Sequence, residues 1–207
     1  MPQTPSYWNR AKRELTQADP LMGAIIARYT GEALQGKDDA YLTLLRSITG
    51  QQISVKAADS IWARLEGACN GKVTLTSMQK LDADILRSLG YSHQKCGYLA
   101  DITKFFSTRK HLERDWAEMP DEAVIHDLVQ IKGIGRWTAE MFLIFHLLRA
   151  DVFPIDDLGV LKAIRVNYPE REWNKKTYLQ LAETWQPWRS VATWYLWRSL
   201  DPVPVAY

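Results

Sequence analysis

Two short stretches carry residue types suited to chemistry. The first is Lys132-Gly133-Ile134-Gly135-Arg136. Two glycines one residue apart permit positive φ and close backbone approach. The amides of such a turn, with the N-terminus of the following helix, form an anion site. Lys132 and Arg136 flank it with mobile cationic side chains suited to phosphate. Ile134, between the glycines, is expected to pack inward and pin the turn. An ordinary helix connection with a glycine C-cap would use the same residues. The second stretch is Asp151 to Val160. Pro154 restrains a loop there, and Asp156-Asp157 introduce a helix carrying Leu158, Leu161 and Ile164. A carboxylate at a helix N-terminus is held in its charged form. Capping alone would account for it; a lone general base or electrostatic stabiliser would look the same.

The elements that must position these residues read as helices. Asp19-Pro20 signals an N-cap with proline in the first turn, ahead of Leu21, Ile25, Ile26 and a stop at Gly31. Asp38-Asp39 opens a helix with Leu42, Leu45 and Ile48 at helical spacing and Gly50 near its end. Ser54 caps a third, in which Val55, Ala58, Ile61, Trp62 and Leu65 form an apolar stripe. Asp82 to Leu89 is a short helix ending at Gly90, and Ser92 starts one reaching about Phe106. Pro120 to Val129 forms the arm before the hairpin. After it, Thr138, Met141, Phe142, Phe145 and Leu148 recur at helical spacing. Only Lys72 to Leu75 hints at a strand. The expected fold class is therefore all-α, with hinges around Tyr29 to Lys37 and Ala150 to Ile155.

Composition narrows the class. With 207 residues, 46% hydrophobic and 24% charged, the chain has enough apolar residues for a proper core. A net charge of +2 is too mild to identify a polyanion-binding protein. Two cysteines, Cys69 and Cys96, supply neither a disulfide scaffold nor a four-thiolate cluster, and four His make a dense zinc site unpromising. Met1 to Lys12 is no apolar signal core, and no apolar run nears the roughly 18 residues of a membrane span. The expectation is an intracellular, soluble, reduced protein with no membrane association. Nine Trp stand out.

The run Leu128-Val129-Gln130-Ile131-Lys132-Gly133-Ile134-Gly135-Arg136-Trp137-Thr138-Ala139, followed by a Pro-containing loop and Asp157-Leu158-Gly159, resembles the helix–hairpin–helix/GPD superfamily of DNA glycosylases. Its alkylation-repair members, the DNA-3-methyladenine glycosylase II group, are the most similar. The resemblance runs from about Leu44 to Arg198. It takes in Ile48-Thr49-Gly50-Gln51-Gln52-Ile53-Ser54 and Trp185-Gln186-Pro187-Trp188-Arg189-Ser190.

The resemblance implies two helical lobes with the active site in the cleft between them. Lobe A spans about 1–36 plus 151–207. Lobe B spans about 37–150, with the hairpin motif at about 120–148. It implies that Asp157 is catalytic and Asp156 a capping neighbour. Gln51, Lys132, Gly133, Ile134, Gly135, Arg136 and Thr138 would hold the DNA backbone. Trp137 and Trp197 would line a base pocket, with Met141 and Leu158 at positions often aromatic in relatives. Trp188, Trp194 and Tyr195 are second candidates, although clustered aromatics at helical spacing usually form core. Gln52 would plug the space left by a flipped base, unless either glutamine merely caps the preceding helix. No cofactor is required, but a structural Na+ or K+ on the carbonyls of Val129, Ile131 and Ile134 fits the family.

Departures from the family pattern are informative. Bifunctional members place lysine two residues after the second glycine, where this chain has Trp137, so strand cleavage is not expected. Iron–sulfur members need four cysteines near the C-terminus, and no Cys follows Cys96. Adenine-mismatch members carry a glutamate where Ser47 stands. The expectation is a monofunctional, monomeric hydrolase acting on alkylated purines, such as 3-methyladenine and 7-methylguanine, flipped from double-stranded DNA. It would work at the nucleoid in a bacterium or in the nucleus of a eukaryote. The alternatives are a non-catalytic helix–hairpin–helix DNA-binding protein and a glycosylase for deaminated or mismatched bases.

Overall fold

Short polar residues set most helix starts. Asp19, Asp39, Ser54, Thr74, Asp82, Ser92, Asp157 and Asn174 each accept a backbone N–H of the helix they precede, satisfying donors that the first turn leaves unpaired. The computed structural model describes residues 4–37, 39–109 and 112–200, and these include no strand. Asp38, of the pair expected to open the second helix, lies outside them. Lys72 to Leu75 forms no strand. Thr74 and Ser77 instead form a reciprocal capping box that starts a one-turn helix at Leu75.

The chain divides into two units, Met1–Asp38 with Leu143–Ala206 and Asp39–Phe142. The second boundary therefore falls before the loop at 150–155 and inside the helix Arg136–Phe145. Sequence signals mark loops, whereas this crossing is made by a continuous helix.

The first unit contains α1 (Trp8–Ala18), α2 (Pro20–Arg28), α11 (Leu158–Asn167), α12 (Lys175–Glu183) and α13 (Arg189–Leu200). Residues 190–198 of α13 are all buried, Ser190, Thr193 and Arg198 among them, so this helix is enclosed on every side and forms the unit's centre. Trp8 of α1 packs edge-on to Trp194 and stacks on Tyr195. Asp19 ties the elements together. One oxygen caps α2, and the other accepts from Tyr168 Oη at 2.7 Å and Trp185 Nε1 at 2.9 Å.

The second unit contains α3 (Ala40–Gly50), α4 (Val55–Ala68), α5 (Leu75–Met78), α6 (Ala83–Ser88), α7 (His93–Thr108), α8 (Leu112–Glu118), α9 (Asp121–Leu128) and most of α10 (Arg136–Phe145). Leu44, Leu45 and Ile48 of α3 are buried, as are Leu99 and Ile102 of α7 and Trp62 and Leu65 of α4. Val55 departs from the expected stripe, at 76% exposure in the first turn of α4. Helix α10 stops at Phe145, and Leu148 takes a φ of 53° outside it. Seven of the nine Trp are buried; their abundance is mostly a property of the two cores. Both cysteines are free and buried, and no helix among the described residues is long and apolar enough to cross a membrane.

Candidate functional site

The hairpin between α9 and α10 is closed by its own backbone. Ile131 N donates to Leu128 O and Ile134 N to Ile131 O, each at 3.0 Å. Ile131 and Ile134 turn inward, with 1% and 4% exposure. Gly133 has a φ of 87°, and a Cβ there would run into the ring of Tyr98 on α7. Gly135 has no positive φ and has space around its Cα. Of the two glycines, conformation demands only the first. The Lys132 amide donates to Asp101 Oδ2 at 2.8 Å, so it is engaged inside the unit. The Gly133 and Gly135 amides donate to no acceptor among the described residues, which leaves them to an outside anion. A shallow groove lined by His93, Gln94, Tyr98, Asp101, Lys104 and Lys132 continues this surface along α7.

The two flanking cations differ. The Lys132 side chain is exposed. Arg136 is not a mobile charge: its guanidinium pairs with Glu122 and its Nε lies 3.0 Å from Glu140 Oε1. Glu140 is 4% exposed. The hydrogen bonds to Glu122 push the Arg136 pKa above its usual value and hold the Glu122 carboxyl below its own. A buried carboxylate needs such a partner, and sequence spacing did not reveal that need. Thr138 is likewise 5% exposed rather than presented to solvent.

The carbonyls of Val129, Ile131 and Ile134 lie in the same turn. They are neutral oxygens, the donor chemistry of a weakly held monovalent ion, and Ile131 O keeps a second lone pair beyond the one given to Ile134. Among the described residues no cluster of three His, Cys, Asp or Glu could hold a metal ion.

The Gln51-Gln52 turn follows α3. The Gln51 backbone is the α3 C-cap, and its side-chain Nε2 donates to Gly133 O at 3.1 Å. Gln51 thus braces the hairpin instead of reaching outward. Gln52 is exposed and has a φ of 58°, a left-handed conformation costing a non-glycine residue roughly 1–2 kcal/mol. Lys95 on α7 sits beneath, its Nζ donating to Thr49 O at 2.9 Å and Gln51 O at 2.7 Å. Partial burial lowers the Lys95 pKa. Lys95, Tyr98 and Asp101 were invisible as site residues in the sequence. Their spacing of i, i+3 and i+6 was the available signal, and it acquires meaning only once α7 is known to lie beside both turns.

The carboxylate belongs to the other unit. Asp157 is 5% exposed, and its Oδ1 accepts from Val160 N at 2.7 Å and Trp197 Nε1 at 3.1 Å. Asp157 itself is therefore the N-cap of α11, and the expected capping neighbour, Asp156, is exposed. A Cβ on Gly159 would lie 3.1 Å from Asp157 Oδ1 and 3.5 Å from the Trp197 ring; glycine leaves room for the carboxylate–indole contact. Trp197 is 5% exposed and stacks on Phe145, with centroids 5.8 Å apart and an interplanar angle of 18°. The sequence reading did not single out Phe145 as a site residue. Leu158, beside the carboxylate, is 79% exposed.

The loop leading to Asp157 is clamped by the start of α13. Arg189 grips Asp151 through Nε and Nη2 at 2.7 and 2.9 Å, and Val152 N donates to Ser190 Oγ at 2.9 Å. This explains the Trp-Gln-Pro-Trp-Arg-Ser run. Trp185 and Trp188 in it donate to Asp19 and Glu14, so Trp188 joins Trp194 and Tyr195 in the core. Trp137 is half-buried on α10 and Met141 is buried, both in the hairpin's unit. Asp157, Leu158 and Trp197 share the other.

The sequence matches the HhH-GPD superfamily of base excision DNA repair proteins over residues 45–188. The chain belongs to this superfamily. DNA-3-methyladenine glycosylase 1 of Schizosaccharomyces pombe is 34% identical over 183 residues, covering 84% of this chain and 78% of that protein. Among solved structures, the DNA-3-methyladenine glycosidase from Bacillus halodurans matches with a TM-score of 0.81 and 29% identity, over 91% of this chain and 88% of that one. A Schizosaccharomyces pombe 3-methyladenine DNA glycosylase in complex with abasic DNA matches at 0.77 and 31% identity, over 91% and 95%. The HhH-GPD span takes in Gln51, Gln52, the hairpin and Asp157, while Trp197 lies beyond its end.

Proposed function

We propose that the chain is a monofunctional DNA glycosylase that hydrolyses the N-glycosidic bond of alkylated purines in duplex DNA, as a step of base excision repair. The observation that carries the reading is the buried Asp157 carboxylate. Its Oδ1 accepts from the Val160 amide at the α11 N-terminus and from the Trp197 indole N–H, which together orient it. Its substrates would be purines of the 3-methyladenine and 7-methylguanine type. These leave as cations turned neutral, taking the electron pair of the broken C1′–N bond, so no strong general acid is needed. Positive charge then gathers on the sugar, where Asp157 stabilises it and takes a proton from the water that adds to C1′.

In this reading the Gly133 and Gly135 amides and the Lys132 ammonium hold the DNA backbone. A monovalent cation on the carbonyls of Val129, Ile131 and Ile134 would add a positive charge facing a phosphate. Gln52 enters the stack when the base leaves it. Trp137 and Met141 in one unit and Trp197 and Leu158 in the other are the candidate base-contacting residues, each aromatic face being worth about 0.5–2 kcal/mol to a cationic base. Trp137 in place of a lysine supports hydrolysis without strand cleavage.

The test is release of free base from methylated duplex DNA, followed chromatographically, for the wild type and Asp157→Asn. Wild type is expected to release methylated purines and leave unnicked abasic DNA. Asparagine keeps the cap acceptor but loses the charge, so the rate should fall on the order of 10²–10³-fold. No release by the wild type, or full activity in the variant, would sink the proposal.

A further inference from the structure

We infer that Lys95 is a positioning residue for base flipping: its two hydrogen bonds hold the Gln51-Gln52 turn in the conformation from which Gln52 enters the duplex. The inference rests on the glycosylase reading above and concerns contacts within one unit. The last carbonyls of a helix have no partner inside it. Such ends are commonly closed by glycine in the left-handed conformation. At the end of α3 the left-handed residue is Gln52, which gains no conformational relief from its type. The surroundings must hold it there.

Lys95 supplies the hold. Its Nζ spans the Thr49 and Gln51 carbonyls at 2.9 and 2.7 Å. The second of these belongs to the peptide that joins Gln51 to Gln52, so the bond fixes the plane from which Gln52 departs. An ammonium aimed at the negative end of a helix is favourably placed and is spent on that task rather than on phosphate. The same face of α7 also sets the hairpin. Tyr98 lies under Gly133, Asp101 receives the Lys132 amide, and Gln51 Nε2 ties the turn to Gly133 O. Helix α7 thereby sets the spacing between the side chain that fills the duplex and the amides that face the backbone.

The experiment compares wild type, Lys95→Met and Lys95→Arg on a duplex carrying 2-aminopurine at the flipped position. Its fluorescence rises on unstacking and needs no hydrolysis. Single-turnover base release, Kd for undamaged duplex and thermal midpoint are measured in parallel. Lys95→Met is expected to cut both the fluorescence rise and the release rate about tenfold or more, with Kd and midpoint close to wild type. Lys95→Arg, which can still donate to both carbonyls, is expected to recover most of the loss. Unchanged flipping in Lys95→Met, or a loss matched by an equal weakening of Kd, would overturn the inference. If Lys95→Met does not fold, Lys95→Gln carries the same test. An intermediate fluorescence rise at unchanged Kd supports positioning, and a wild-type rise overturns it. A wild type that unstacks 2-aminopurine but releases no methylated base would refute the activity reading alone. One that does neither would refute both.

Discussion

Helices α10 and α11 each begin at candidate functional residues, one in each unit, and they use their N-termini in opposite ways. At α10 the preceding residues are glycines, and the Gly133 and Gly135 amides have no acceptor among the described residues. At α11 the position is filled by the protein's own Asp157, whose Oδ1 takes the Val160 amide and the Trp197 indole N–H. The same partial positive charge thus serves to receive an anion in one case and to keep a resident one in the other. The difference lies in what precedes the helix: backbone without side chains, or a short carboxylate. Exposure follows. Gly135 is open to solvent, whereas Asp157 is buried.

Six substitutions would break or sharpen this contrast. Asp157→Asn has the largest expected effect. It should remove catalysis on the order of 10²–10³-fold while the salt dependence of DNA binding stays as in the wild type, because no phosphate contact is altered. Binding lost in parallel would show that the two helix ends do not divide the work. Trp197→Phe keeps an aromatic face but withdraws the indole N–H from a charged acceptor, a bond worth about 1.5–3 kcal/mol. Single-turnover release should fall on the order of tenfold to a hundredfold, and a wild-type rate would mean that the indole does not orient the carboxylate.

Gly133→Ala attacks the other helix end. A methyl group at φ 87° meets the Tyr98 ring; the conformational cost of roughly 1–2 kcal/mol adds to overpacking of about 1–3 kcal/mol. Equilibrium DNA titration should show binding weakened about tenfold, with a lower thermal midpoint. Gly135→Ala, having space, should keep the midpoint. The smallest effects separate Lys132 from Arg136. Lys132→Met should flatten the plot of log K against log salt by about one unit of slope. Arg136→Met should leave that slope nearly unchanged and instead lower the thermal midpoint, since it removes the hydrogen bond to the buried Glu140. A slope change from Arg136 equal to that from Lys132 would mean that its ion pairs open on DNA.

Much of the scaffold was legible before any coordinates. Short polar residues ahead of apolar periodicity marked the starts of α2, α3, α4, α6 and α7, because capping is a local bond between neighbours in sequence. Helices α1 and α8 carry no such signal; Tyr7 precedes α1 without a side-chain cap bond. Lys72 to Leu75 looked extended because the Thr74–Ser77 capping box spans only one turn. In the site, the hairpin glycines and Asp157 could be found from type and order alone. The pairing of Arg136 is not legible in the sequence, because its partners Glu122 and Glu140 lie on two different helices, only one of them its own.

The sequence by itself determined which residues carry charge, where backbone can bend sharply and which carboxylate opens a helix. Those properties follow from single residues and their immediate neighbours. Only tertiary structure decided which of these groups are already spent. The Lys132 amide is given to Asp101, Arg136 to a buried glutamate, Gln51 to the hairpin carbonyl and the Trp197 N–H to Asp157. It also gave Lys95, an unremarked lysine in the sequence, a place beneath the turn that bears Gln52. A hydrogen bond is satisfied by whatever lies about 3 Å away. Apart from the i, i+4 pair Arg136–Glu140, these partners lie 31 to 82 residues apart in the chain, and their proximity is a product of the fold.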